Sequence, residues 1–199
     1  NEFLWWWITD EGEQTGLMKG VVERWLGANW TKEVLLEHQA WLAQELIELF
    51  RRIGADAIQP FIYLVNGKGA TAHWFLGDIA ALNPKPVLQA VKNAFAPFGV
   101  SIELWDRHFF QGETRTINIY VFNDRDGKQS GTLNVRIMNE GRSWMTVMNR
   151  ETEIHGVSRV VLPIEVVFPD RPDSFQLRAE FGQRGLRLVK EDLFGAVYG

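Results

Sequence analysis

The first residues of the chain combine a carboxylate with a run of indole rings. Glu2 stands shortly before Trp5 and Trp6, two of the nine tryptophans among 199 residues. An indole offers a flat apolar surface with one N–H donor, which suits stacking on the face of a sugar ring. A strand at this point would present the Glu2 carboxylate beside such a surface. The alternatives are that Glu2 belongs to a solvated chain end and that the rings fill a core.

Two further patterns point to residues that face a ligand. Trp5, Trp6 and the next indole cannot all enter one core, because successive residues of a strand point to opposite sides. His73 and Trp74 follow an apolar segment after a loop. Loops that follow parallel strands carry the functional groups of α/β proteins. We therefore predict that His73 and Trp74 contact a substrate; packing against their own domain is the alternative.

Several other kinds of site are excluded by the residues present. The chain has no cysteine, which rules out disulfides and thiolate chemistry. No two histidines stand four residues apart, as a helical metal pair requires, and no serine lies in a nucleophile-elbow motif. A calcium loop starting at Asp124 would place its twelfth ligand at Val135, inside a predicted strand. We predict neither a metal nor a cofactor.

The distribution of charged and apolar residues argues against nucleic acid and membrane partners. The net charge of −4 comes from 21 basic and 25 acidic residues spread along the chain, so no basic cluster favours nucleic acid. The longest apolar run, Phe3–Ile8, is far shorter than the roughly 20 residues of a membrane helix, so we expect no membrane partner. No signal peptide is visible, and periplasmic, secreted and cytoplasmic locations all remain open.

The first half of the chain predicts a strand, two helices, a second strand and a further helix. These elements are Phe3–Ile8, Leu17–Leu26, a helix capped by Thr31 and ended by Gly54, Ala57–Leu64, and a helix that begins near Pro86. Parallel strands buried on both faces need a sheet of several strands, and two strands cannot form one. We predict that residues 1–80 are the end of a larger α/β domain; the alternative is that they pack on a partner chain or on the second half.

The second half alternates apolar and polar residues with a period of two. The predicted strands are Val100–Asp106, Thr114–Phe122, Thr132–Met138, Trp144–Met148, Val157–Phe168, Phe175–Phe181 and Leu186–Val189. Asp126-Gly127 predicts a turn, and Pro163 predicts a bend or a sheet edge. Roughly seven short strands in about 100 residues are typical of an immunoglobulin-like or fibronectin-like antiparallel β-sandwich. By content the chain is therefore an α+β protein, with a domain boundary at 98/99.

Three stretches of sequence carry a family resemblance. They are Asn1-Glu2-Phe3 with the following tryptophans and Asp10-Glu-Gly, Gly54–Leu64 with His73-Trp74, and Ala94–Phe109 with Gly112-Glu and Ile119–Asp124. Together they resemble the C-terminal portion of glycoside hydrolase family 2 proteins, the β-galactosidase and β-glucuronidase group. In that family a (β/α)8 (TIM) barrel is followed by immunoglobulin-like sandwich domains.

The resemblance implies an assignment for each part of the chain. Residues 1–98 correspond to the C-terminal remnant of a TIM barrel, and residues 99–199 to an immunoglobulin-like β-sandwich. Glu2 falls on the family's nucleophile at strand seven, Leu4 stands where Gly is usual, and Trp74 corresponds to a stacking tryptophan near strand eight. The family's acid/base glutamate lies on strand four, which is not in this chain. Such a protein hydrolyses β-glycosidic bonds by double displacement, and we expect this chain to be inactive alone.

Two other functions fit parts of the sequence. The excess of tryptophan suggests a non-catalytic carbohydrate-binding or structural β-sandwich module, but only Trp105 and Trp144 lie in the second half, and a binding surface generally needs several aligned rings. An esterase-like hydrolase with a self-contained site would need a serine nucleophile, but the serines of the second half lack the elbow motif. The expected ligand is an oligo- or polysaccharide. The expected protein partner is the missing barrel portion or a second copy of the chain.

Overall fold

The chain divides into two compact units, Asn1–Ala96 and Pro97–Gly199. The computed structural model describes residue 3 and residues 7–60, 74–183, 186–194 and 196–198. For residue 79 and for the residues from 183 onward, only the backbone is described.

The first unit is mainly helical in its described residues. Its elements are a 3-10 helix at Gly16–Met18, α1 at Val21–Leu26, α2 at Lys32–Ile53, β1 at Phe75–Leu76, a 3-10 helix at Ile79–Ala81, β2 at Asn83–Pro84 and α3 at Pro86–Ala94. The short strands β1 and β2 pair antiparallel. One apolar cluster lies between α2 and α3, and a second joins α1 to the start of α2.

The helix α2 begins and ends at the capping residues that the sequence predicted. The Thr31 hydroxyl accepts a hydrogen bond from the Val34 amide at 3.4 Å, which caps the first turn. Gly54 ends the helix with a left-handed backbone, φ +77°. The predicted helix over residues 17–26 is instead split into a 3-10 turn and α1. Gly20 separates the two with φ +78°, a conformation that an α-helix does not accommodate.

The two predicted parallel strands lie partly outside the described residues. In the described part of Phe3–Ile8, Ile8 forms an isolated antiparallel bridge with Gln14. Residues 57–60 are not in a strand. A buried parallel strand is stabilised by neighbours on both sides, and the described residues supply none to these two segments. No closed barrel is present in the described part of the chain.

The second unit is built almost entirely of antiparallel strands. They are β3 at Phe98–Glu103, β4 at His108–Phe110, β5 at Thr114–Asn123, β6 at Gln129–Asn139, β7 at Arg142–Ile154, β8 at Ser158–Val167, β9 at Phe175–Gln183, β10 at Leu186–Phe194 and β11 at Ala196–Tyr198. Seven of them overlap the seven predicted strands. The structure adds β4 and β11, which pair in parallel. The chain as described is thus a β-rich α+β fold.

Two sheets of the second unit share one apolar core. The strand order is β10-β9-β6-β7 in the larger sheet and β3-β5-β8 in the smaller. Alternate residues of both sheets form the core, for example Ile102, Ile119, Ile164, Leu133, Ile137 and Leu177. The rings of Phe98 and Phe181 meet across the core with 5.3 Å between centroids. Pro163 lies on β8, which is an edge strand as predicted.

The pair Phe109 and Phe110 allows a direct test of this packing. Phe109 is fully buried and its ring stacks on Phe168 with 3.8 Å between centroids. We expect Phe109→Ala to lower the free energy of unfolding by about 3–5 kcal/mol, because the substitution removes buried area and leaves a cavity. Phe110 is 67% exposed, so Phe110→Ala should cost less than about 0.5 kcal/mol. Urea unfolding of both variants measures the difference, and equal losses would contradict the assignment.

Candidate functional site

Most of the predicted site residues lie outside the described residues. This holds for Glu2, Trp5, Trp6 and His73. Their roles therefore stay predictions. Trp74 is described, and the structure shows the residues that surround it.

Trp74 lies in the apolar cluster between α2 and α3. Its side chain is 6% exposed and packs in the same cluster as Phe75 and Val87. Its carbonyl oxygen accepts a hydrogen bond from the Lys85 amide at 2.8 Å. The ring is thus part of a core in this unit, and its stacking on a sugar stays a prediction.

Lys85 is a buried cation that the sequence reasoning did not identify. It is the residue before α3, and Pro86 begins that helix. The side chain is only 1% exposed, and its Nζ donates a hydrogen bond to the Ile8 carbonyl oxygen at 2.9 Å. The signal available in the sequence was the Pro84-Lys85-Pro86 motif, since two prolines fix the backbone around this lysine.

The turn that follows Ile8 is held from several sides. The Thr9 amide donates to the Glu13 carbonyl at 2.8 Å, which closes the turn. The Gly77 amide donates to the Asp10 carbonyl at 2.8 Å, and Lys32 Nζ donates to the Glu11 carbonyl. Lys85 and Lys32 therefore fix the main chain of this segment through its carbonyl oxygens. The arrangement orients the segment that follows the predicted nucleophile strand.

The electrostatic surroundings of Lys85 favour its neutral form. Burial lowers the pKa of Lys85 from 10.5 to about 8, while the negative charges of Asp10 and Glu11 oppose the shift and Lys32 adds to it. The hydrogen bond to the Ile8 carbonyl and the negative charges of Asp10 and Glu11 stabilise this ammonium, which is held away from water. A substantial part of the population is therefore uncharged at mildly alkaline pH.

This shift gives a pH-dependent prediction. Between the folded pKa near 8 and the reference value of 10.5, the unfolded state binds more protons, so stability rises with pH in this window. We expect the wild-type chain to gain up to about 2 kcal/mol relative to Lys85→Met from about pH 7.5 to about pH 9.5. The exposed Lys92 of α3 supplies the control Lys92→Met. Urea unfolding at each pH measures the difference, and parallel profiles for wild type and Lys85→Met would contradict the prediction.

Within the described ranges, no three His, Cys, Asp or Glu side chains converge in a way that could hold a metal ion. None of the helices in those ranges combines the length and apolar character that a bilayer crossing requires.

Comparison with known proteins gives a likeness of fold only. No family model and no curated protein matches the chain. Among solved structures, a β-D-mannosidase from Dictyoglomus thermophilum superposes with a TM-score of 0.63 at 16% identity, over 83% of this chain and 20% of that chain. A large part of this chain thus shares the fold of one fifth of that β-D-mannosidase chain.

Two other solved structures superpose more loosely. They are the sporulation control protein Spo0M from Bacillus subtilis, with a TM-score of 0.40, 14% identity and 53% of this chain covered, and a β-glucosidase from Listeria innocua, with a TM-score of 0.41, 11% identity and 53% covered. This chain spans 51% of the first and 16% of the second. Neither superposition is close enough to support an argument.

Proposed function

We propose that this chain is the C-terminal part of a retaining β-glycosidase of the glycoside hydrolase family 2 type. In this proposal residues 1–98 complete a (β/α)8 barrel, and residues 99–199 form an immunoglobulin-like β-sandwich. The observation that carries the proposal is the superposition on the β-D-mannosidase. It covers 83% of this chain at a TM-score of 0.63, so it extends over parts of both units.

The architecture of each unit agrees with these assignments. The seven longest strands of the second unit form a four-stranded and a three-stranded antiparallel sheet around one core. This strand count and two-layer arrangement support the proposal of an immunoglobulin-like domain. In the first unit, α2 packs on α3 around one apolar cluster, as outer helices of a barrel would beside the strands they cover.

The proposed reaction divides the work between this chain and the rest of the barrel. The Glu2 carboxylate attacks the anomeric carbon, and a carboxylic acid from strand four protonates the leaving oxygen. Water then cleaves the glycosyl ester with the second carboxylate as base. In the proposal Trp5, Trp6, His73 and Trp74 contact the sugar. Lys85 is a positioning residue, since it binds the carbonyl of Ile8 in the segment after Glu2.

The test compares this chain alone with the chain joined to a barrel portion. Aryl β-mannoside, β-glucoside, β-galactoside and β-glucuronide substrates are assayed with the isolated chain and after addition of a separately produced segment carrying strands one to six. We expect no turnover by the isolated chain, because two carboxyl groups are needed, and turnover of one substrate once the barrel is complete. Turnover by the isolated chain, or none in the completed protein, would overturn the proposal.

A further inference from the structure

A cluster of half-exposed side chains lies at one end of the second unit. The Arg171 guanidinium carbon lies over the Trp144 ring at 4.3 Å from its centroid. The Trp144 ring in turn meets Phe175 edge to face, with 6.0 Å between centroids. Asn139 and Asp173 complete the cluster. We call these four polar and aromatic residues, Trp144, Arg171, Asn139 and Asp173, the Trp144 cluster.

The position of Trp144 is set by an irregularity in β7. This strand is at the edge of the larger sheet. Opposite it, Ile137 pairs with Met145 and Met138 pairs with Ser143, so Trp144 has no partner across the ladder. Trp144 is thus the extra residue of a β-bulge, and bulges turn a side chain out of the regular alternation of a strand. The indole is 46% exposed as a result.

The polar members of the cluster hold one another in fixed positions. Arg171 Nη2 donates to Asn139 Oδ1 at 2.9 Å and to Asp173 Oδ2 at 3.0 Å. Asn139 Nδ2 donates to Asp173 Oδ2 at 3.2 Å and to the Ser174 carbonyl at 3.0 Å. Both hydrogen bonds of Arg171 named here are donated by Nη2, and the side chain is 43% exposed, so the guanidinium remains accessible to a ligand. Such mutual support reduces the entropy lost on binding.

We propose that the Trp144 cluster binds a neutral oligosaccharide chain. The Arg171 guanidinium covers one face of the indole, and the exposed part of the ring offers an apolar surface to the C–H face of a pyranose. The fixed guanidinium and carboxylate provide a donor and an acceptor for neighbouring hydroxyl groups. The Asp173 carboxylate lies 3.0 Å from the guanidinium, so the charge of Arg171 is already balanced. The negative charge of a uronate would be repelled by the Asp173 carboxylate. The cluster therefore favours an uncharged sugar over an acidic one.

The proposal goes beyond the glycosidase assignment and does not depend on it. The cluster lies wholly within the second unit, and it needs neither Glu2 nor a complete barrel. A glycosidase assay that fails would leave this site untouched, and loss of sugar binding would leave the catalytic proposal untouched.

Affinity electrophoresis of the full chain tests the proposal. The gels contain a neutral galactomannan, a neutral β-glucan or polygalacturonate, and they are run with wild type, Trp144→Ala, Trp144→Phe and Trp25→Ala. Trp25 is a matched control because its side chain is 54% exposed and it lies in the other unit. We expect a neutral polysaccharide to retard wild type, Trp144→Phe and Trp25→Ala. Trp144→Ala should bind at least about tenfold more weakly, a change of about 1.4 kcal/mol.

Several outcomes would overturn the proposal. They are an absence of retardation by both neutral polysaccharides, equal losses in Trp144→Ala and Trp25→Ala, and stronger retardation by polygalacturonate than by the neutral polymers. Thermal unfolding of each variant tests whether its fold is intact. If Trp144→Ala does not fold, Arg171→Lys replaces it, because that variant keeps the charge and loses the planar fork. It should then bind more weakly than wild type, and unchanged binding would count against the site.

Discussion

A Glu2→Gln variant of the completed barrel should lose kcat by on the order of 10⁴-fold or more. An amide in place of the carboxylate cannot attack the anomeric carbon, so the glycosyl-enzyme intermediate cannot form. The variant should still bind substrate, because the aromatic residues proposed to contact the sugar are unchanged. Steady-state hydrolysis of the aryl β-glycoside that gives turnover measures the effect, and a KM within a few-fold of wild type is expected.

A control variant at a neighbouring carboxylate and a covalent label test whether Glu2 itself is the nucleophile. Glu13 is exposed, and its amide donates to the Thr9 hydroxyl in the turn after Ile8, so Glu13→Gln should change kcat by less than about twofold. An activated 2-deoxy-2-fluoro glycoside slows the second step and should leave a sugar ester on Glu2, detectable by mass spectrometry of the N-terminal peptide. A label on another carboxylate, or a Glu2→Gln variant that keeps its activity, would show that Glu2 is not the nucleophile.

Arg52→Met is expected to destabilise the first unit by about 3–5 kcal/mol. Arg52 Nη1 lies 3.9 Å from Glu48 Oε2, and Arg52 Nη2 lies 4.0 Å from Glu45 Oε2. All three side chains are buried along one face of α2. Removing the cation leaves two carboxylates with less compensation in a medium where charge is poorly screened. Urea unfolding of the full chain, followed by tryptophan fluorescence, measures the loss.

Two further variants separate charge balance from lost packing. Arg51 is half-buried and donates to the Ala94 carbonyl at 2.7 Å, so Arg51→Met should cost only about 1 kcal/mol. A triple variant, Glu45→Gln with Glu48→Gln and Arg52→Met, removes every charge of the group and should recover most of the stability lost by Arg52→Met. If the triple variant is no more stable than Arg52→Met, the loss comes from packing and the electrostatic explanation is wrong.

The parts of the fold that the sequence predicted are those set by local chemistry. Thr31 and Gly54 limit α2 because a hydroxyl cap and a left-handed glycine act within one turn of the helix. Gly127, with φ +85°, lies in the turn predicted between β5 and β6. Alternation with a period of two identified the seven longer strands of the second unit, since each has one face in a shared core.

The parts that the sequence did not predict depend on distant partners. The strand β4 has three residues, too few for a periodic signal, and it forms by pairing with β11 some 88 positions later (196 against 108). The bulge at Trp144 depends on which residues of β6 lie opposite. The sequence also predicted β7 as Trp144–Met148, whereas pairing with β6 extends it over Arg142–Ile154.

In the candidate site, too, the features that depend on distant contacts were not predicted from the sequence. Glu2 was predicted as the nucleophile from a family resemblance and His73 from its place in a loop after an apolar segment, and both lie outside the described residues. Lys85 was missed because a single lysine in a polar segment looks solvent-exposed. Its burial follows from contact with the Ile8 carbonyl, 77 residues earlier in the chain. The burial of this lysine therefore depends on a contact between distant parts of the chain, which only the three-dimensional structure shows.

The irregular ladder of β7 also affects how copies of this protein behave toward each other. A long, straight outer strand offers its amide and carbonyl groups to the same strand of another molecule, which is a route to fibrils. In β7 the register with β6 shifts at two places within 13 residues, and Arg150, Glu151 and Glu153 lie exposed along it. The edge formed by β7 therefore offers no uninterrupted template from which another molecule could extend the larger sheet.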